Sequence, residues 1–330
     1  MARRNVFIVF AVLLMQFVSC NIFAQQALVE WVQAPLGQVP PIASYSLNYY
    51  PKEDVKKQDT TFESFYNNVV GVLPLINDSN KDLAILGLFT YRNITSKAFL
   101  PASGVEIPEK LYDLNIGPLY RYKFSNDWTM GVSLLFGSSS DKLFHSLKED
   151  TIRFDAYLEV PAKENNNWLF YVDYYNNRDY WNGYPVPGAG YWYKPSDKFQ
   201  AVIGLPIFYV EYLPFDKTKF EFTYIATTYI LTNLSYDITS SLKVYGEFEW
   251  NDELYARADR EKDKDRLFYY EKILGAGIHW QVAKYFGVDL SGGYAFDRNM
   301  FEAKKSADGD DNKFDIENGA FVGIRAGLPF

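Results

Sequence analysis

The feature that most constrains this chain is an alternation that keeps its phase across tight turns. Leu114, Ile116, Tyr120, Tyr122 and Phe124 share one parity, and after Ser125-Asn126-Asp127 the apolar role passes to Trp128, Met130, Val132, Leu134 and Phe136. Period two means extended strands, and conserved phase means two paired strands with one common greasy face. The opposite face carries Asn115, Gly117, Arg121 and Lys123, then Thr129, Gly131, Ser133 and Gly137. One side of the predicted sheet is therefore apolar and the other polar or small.

Three further hairpins obey the same rule. Phe154 to Val160 turns through Pro161 to Asn167 into Trp168, Phe170, Val172 and Tyr174. Ile230 to Ile238 turns at Thr239-Ser240-Ser241 into Leu242, Val244, Phe248 and Trp250, and Leu274 to Val282 turns at residues 283–287 into Val288, Leu290, Tyr294 and Phe296. The last stretch alternates too, with Ala320, Val322, Ile324, Ala326 and Leu328 on one face and Arg325 with glycines on the other, ending at Pro329-Phe330. Outward aromatics gather at strand ends, and Phe, Tyr and Trp together make 60 of 330 residues.

Alternating strands of ~9–11 residues or more, aromatic girdles and a polar inner face resemble a bacterial outer-membrane β-barrel of the porin-like kind, over nearly the whole chain. The resemblance implies an all-β antiparallel transmembrane barrel of about 14 strands, within a range of 12–16. The uncertain stretch is 191–228, where Pro195, Pro206 and Pro214 interrupt the pattern: each proline read as a turn gives 16, and merging across them gives fewer. The last strand is expected to pair with a first strand near Ala43 to Tyr50 and close the sheet. Phe330 is expected to mark the chain for the outer-membrane assembly machinery.

Residues 1–24 read as a cleaved signal peptide, with Arg3 and Arg4, an apolar run and Ala24 at the cut; 25–42 read as a periplasmic lead-in and 43–330 as the barrel. The expected location is the bacterial outer membrane, with lipid bilayer and lipopolysaccharide as partners. The one cysteine, Cys20, lies in the signal, and a lipoprotein reading of it stays open. Without the signal, 31 basic residues face 41 acidic ones, a balance that excludes a nucleic-acid footprint.

Function divides into three readings. Inward charges of both signs, with Arg121, Lys123, Lys243, Glu247, Glu249 and Arg325 as expected lumen-lining residues, fit a passive channel for small polar solutes. The same charges paired into buried salt bridges would instead plug the lumen. A closed barrel presenting aromatic loops, with Tyr180, Trp181, Tyr184 and Trp192 as the ligand loop, suits a glycan, other ligand or partner. A lumenal hydrolase would use His279, Ser291 and Asp289, with His279 expected opposite Ser291. No catalysis and no cofactor is the expectation. Asp308, Asp310 and Asp311 have calcium-type oxygens but lack the spacing of a calcium hand, and the alternating charges of Arg257 to Arg266 suggest a solvated hairpin tip.

Overall fold

A computed structural model describes residues 35–39, 41–225 and 229–328. The signal segment, residues 25–34 of the lead-in and the Pro329-Phe330 terminus lie outside the described residues. Seventeen strands follow in order: β1 (Ile42–Asp54), β2 (Thr61–Asp78), β3 (Lys81–Ser96), β4 (Lys110–Lys123), β5 (Thr129–Ser140), β6 (Asp150–Pro161), β7 (Asn167–Tyr175), β8 (Val186–Ser196), β9 (Phe199–Leu205), β10 (Ile207–Tyr212), β11 (Thr218–Ile225), β12 (Tyr229–Asp237), β13 (Leu242–Tyr255), β14 (Arg266–Ala283), β15 (Phe286–Ala303), β16 (Lys313–Ile316) and β17 (Gly319–Leu328). Every neighbouring pair is antiparallel, and β17 returns to β1 with Ala43 opposite Leu328 and Tyr49 opposite Val322. The sheet is closed.

Sixteen strands form the ring, more than the expected 14. The excess arises at two of the three prolines. Pro195 stays within β8 at a register shift between Tyr193 and Ser196, whereas Pro206 sits in the link between β9 and β10, and Pro214 in the turn between β10 and β11. A proline there costs no ladder hydrogen bond, which is why short strands are compatible with it. The seventeenth, β16, pairs with β15 above the ring and bridges to Val55 beyond the end of β1.

Both described ends of the ring, Ile42 and Leu328, lie on the side of the short turns, the side that is periplasmic in outer-membrane barrels. The outward face is apolar, with Ile116, Phe136, Leu274, Leu290 and Val322 more than half exposed. Trp128, Trp168 and Trp280 cluster towards the short turns, where amphipathic rings stand at a lipid interface. Because Leu290 lies on this face between Val288, which pairs with Trp280, and Tyr294, Leu290→Arg should cost about 2 kcal/mol in lipid vesicles, the lower end of the midplane cost. Urea unfolding of Leu290→Arg beside Leu290→Ile checks this, and equal midpoints would reverse the assignment of faces.

The walls differ in height. β9 to β12 are short, whereas β13, β14 and β15 rise beyond them, and the tip of β13 crosses the mouth to the opposite wall. There Ala256 N–H donates to the Ser139 carbonyl at 2.8 Å, and Ser139 Oγ and Asn177 Nδ2 both donate to the Leu254 carbonyl. The mouth is bridged by protein backbone.

Candidate functional site

Beneath that bridge the lumen is filled. Val55, Phe62, Ile94, Leu100, Leu111, Leu267, Met300 and Phe314 form a buried apolar core inside the outer half of the barrel. Under it lies a charged layer. Arg92 on β3 makes a two-toothed ion pair with Glu253 on β13, stands 3.6 Å from Glu271 on β14, and donates to Ser64 Oγ at 3.3 Å. Its guanidinium also stacks 4.0 Å from the Tyr269 ring centre and 4.5 Å from that of Tyr66. Tyr50 and Tyr269 donate to the two oxygens of Glu271 at 3.0 and 2.8 Å, and Arg298 approaches the same carboxylate at 3.8 Å. Arg92 and Arg298 are fully buried. Ion pair, hydroxyl donors and aromatic faces together meet the condition under which buried charges persist, since every lost hydration contact has a replacement.

None of this layer was singled out in the sequence. On β3 both parities are apolar: Leu83, Ile85 and Phe89 on one, Ala84, Leu86 and Leu88 on the other. Alternation therefore gives no hint that Arg92 points inward. The final strand hides a second case, since Phe321 lies among the glycines of the inward face and packs on Tyr50 with ring centres 5.8 Å apart.

The lower half has two unlike walls. Along β2 to β6 the inward residues Val72, Leu86, Leu88, Leu119, Leu135 and Tyr157 make an apolar patch, a correction to the wholly polar and small face expected. Val39 of the lead-in is tucked against it, held by reciprocal hydrogen bonds between its backbone and Asn77, while Gly37 N–H donates to Asp82. Arg121 is buried at this level in an ion pair with Asp82 and reaches the Pro35 carbonyl at 3.4 Å. Lys123 lies at the turn, 2.9 Å from Asp127. Tyr157 crosses the floor of the neighbouring strand: a Cβ added to Gly131 would stand 2.0 Å from its ring, so only glycine fits there.

The facing wall is polar. Register places Asp237, Lys243, His279, Asp289 and Arg325 side by side on five consecutive ring strands, a lateral row of acidic and basic side chains with His279 at its centre. His279 Nδ1 lies 3.1 Å from Asp289 Oδ1, and Arg325 is exposed to the lumen. Ser291 faces Gly277, not His279 as expected, because the β14–β15 turn is shorter than the sequence reading made it, with Ala283 already opposite Phe286. That slip separates the serine from the histidine by one lateral row. Glu247 and Glu249 stand above this row on β13. Further round, Trp192 Nε1 donates to Gln200, Gln200 donates to Glu211, and Lys219 pairs with Glu211 at 3.4 Å and Glu221 at 2.8 Å.

The remaining candidates fall apart spatially. Trp181 and Tyr184 are exposed on the β7–β8 loop, 44 % and 69 % respectively, and Tyr180 lies there beside Ser306. Trp192, in contrast, is an inward residue near the periplasmic end, packed with Leu169, Val202 and Tyr209. The supposed loop ends where β8 begins at Val186, which corrects its inclusion. Asp308 lies in one short 3-10 turn, and Asp310 and Asp311 in the next. Among the described residues no group of three or more His, Cys, Asp or Glu is placed to hold a metal. Asp259 and Glu261 to Lys264 are exposed, as a solvated tip requires, whereas Arg257, Arg260 and Arg266 of the same run are buried and anchor it.

No family model and no curated protein sequence matches the chain. Among solved structures it is similar to the Pseudomonas putida toluene transporter TodX, at 8 % identity and TM-score 0.43 over 94 % of this chain and 95 % of that one. It is also similar to an outer membrane channel from Pseudomonas putida F1, at 10 % identity and TM-score 0.37 over 88 % and 97 %. A Pseudomonas aeruginosa FadL homologue matches at 10 % identity and TM-score 0.38, over 88 % and 90 %. The closed ring, the apolar outer face and the aromatic belt make the chain a sixteen-stranded antiparallel β-barrel of the membrane-spanning kind.

Proposed function

We propose that the barrel is a channel for small solutes with one apolar and one polar side, held shut at its outer half until the interior rearranges. A passive pore for small polar solutes needs a continuous water path. The observation that speaks against such a path at rest is the Arg92–Glu253 pair, which joins strands on opposite sides of the lumen beneath a bridged mouth. Support for a two-sided solute comes from the walls themselves: aliphatic and aromatic side chains on β2 to β6, charges and hydroxyls on β10 to β15. Arg325, Glu247 and Glu249 are the polar lining in this reading, with Arg121 and Lys123 in local ion pairs at the periplasmic side. Lipopolysaccharide and the assembly machinery remain its proposed partners.

The test is conductance in a planar bilayer. Wild-type protein should show rare, brief openings, and Arg92→Ala/Glu253→Ala, which removes both charges together, should raise open time at least tenfold. A wild-type trace that is permanently open would remove the closed-channel reading, and silence in both proteins would remove the channel. A second reading, a closed barrel that binds through its outer loops, is favoured by the exposure of Trp181 and Tyr184, and silence in both proteins would leave it standing.

A further inference from the structure

We propose that Glu247, Glu249 and Asn251 form a binding subsite for a primary ammonium group on a small organic solute. All three lie on the inward face of β13, at successive positions of that face. Just beyond them on the same face, Glu253 is neutralised by Arg92, and across the ladder Glu271 is engaged by Arg298 and two tyrosines. Glu247 and Glu249 have no such arrangement: among the described residues neither makes a hydrogen bond or a contact ion pair, and the charge of Arg325 reaches both only beyond contact distance. Two inward carboxylates two residues apart on one strand repel each other, and their repulsion is relieved by a cation placed between them.

Asn251 is the independent observation. It is 4 % exposed, and its Oδ1 has no hydrogen-bond partner. A buried acceptor without a donor is costly, on the order of 1–3 kcal/mol, and the cost disappears when a ligand supplies the proton. The subsite thus offers two carboxylates and an amide carbonyl, all acceptors, against the three N–H donors of an alkylammonium.

The surroundings specify an organic cation over a metal ion. Calcium takes six to eight oxygens and magnesium a near-ideal octahedron, whereas the carboxylates here number two and no metal-sized cluster occurs among the described residues. The neighbouring inward residues are apolar and already packed: Tyr50, Tyr66, Ile273 and Phe321 form a buried cluster beside Gly275, where an added Cβ would lie 3.3 Å from both Glu247 Oε1 and the Phe321 ring, so the cluster keeps water away from one side of the carboxylates.

This subsite deepens the solute-channel reading by naming the solute class, but binding is measured without transport, so the two fail separately. Detergent-folded full-length barrel is titrated calorimetrically with 2-phenylethylammonium and with 2-phenylethanol, which keeps the tail and lacks the charge. Wild-type protein should bind the ammonium at least tenfold tighter than the alcohol. Glu247→Gln/Glu249→Gln, with folding verified by heat-dependent gel mobility, should bring the ammonium to the level of the alcohol, and Asn251→Leu should weaken it several-fold. Equal wild-type affinity for the two compounds overturns the proposal without any variant. So does undiminished ammonium binding in the folded double variant, or saturable magnesium binding lost in that variant with no ammonium binding.

Discussion

Arg92→Met should destabilise the barrel by about 3–5 kcal/mol, because it strands the Glu253 carboxylate in the interior with its charge partner gone. The loss is larger than the worth of the pair itself. Taking both charges out of water is expensive, and in the native barrel the expense is offset by the two-toothed contact, the Ser64 hydroxyl and the aromatic faces of Tyr66 and Tyr269. Methionine keeps much of the volume and removes every one of those donors. Arg92→Met/Glu253→Leu should recover most of the loss, since apolar groups of similar size are tolerated where a lone buried charge is not. Arg92→Lys should fall between, for an ammonium lacks the planar fork that reaches both Glu253 oxygens. Urea midpoints in detergent or vesicles, assembled as a double-mutant cycle, measure this. If Arg92→Met and the double variant unfold together at the wild-type midpoint, the layer contributes nothing to stability.

The architecture was legible because lipid imposes a simple rule on one face of every strand. Ile116, Phe136, Leu274 and Leu290 obey it, and so do the strand ends carrying Trp128, Trp168 and Trp280. The inward face obeys no such rule. It holds Leu86, Leu119 and Leu135 beside Asn115 and Ser133, because its chemistry is set by what lies across the lumen, often far away in sequence. Arg92 and Glu253 are 161 residues apart, and no local pattern couples them. Position along the chain does say that His279, Asp289 and Ser291 share a face, but their order across the ladder depends on turn length. Shortening the connection to Lys284-Tyr285 moved Asp289 opposite His279. Charge sign alternation in Arg257 to Arg266 was likewise ambiguous, since solvated and mutually paired arginines look alike in a sequence.

That arginine run carries the second large effect. Arg260 and Glu149 form an ion pair at 2.8 Å with side chains 2 % and 1 % exposed, and the same guanidinium donates to the carbonyls of Arg257, Lys148 and Asp263. Around it Lys142 pairs with Asp259, Lys148 with Asp263, and Arg257 with Glu302. Because the two lysine pairs are exposed and screened, the loop between β13 and β14 depends chiefly on the buried pairs of Arg260 and Arg257, and Arg260 makes the larger set of contacts. Arg260→Met should lower the cost of local opening by about 3 kcal/mol. At roughly 1.4 kcal/mol per decade that is about a hundredfold faster trypsin cleavage at Arg257, Lys262, Lys264 or Arg266, provided reclosing outpaces cutting. Acid should act in the same direction. Burial alone would raise the Glu149 carboxyl, but hydrogen bonds from Ser146 and Arg260 outweigh it and hold the group below its ordinary value. A lowered acid contributes its stability above the unfolded value and loses it as pH falls through the folded one. Hydrogen exchange in residues 256–265 should therefore stay slow at neutral pH and, after correction for the intrinsic rate, lose protection only below about pH 4. Glu149→Gln should abolish that acid-dependent loss while leaving a partly open loop at neutral pH. An Arg260→Met loop as resistant to trypsin as the wild type would show that the β13–β14 loop is held instead by its backbone contacts at Ser139 and Leu254.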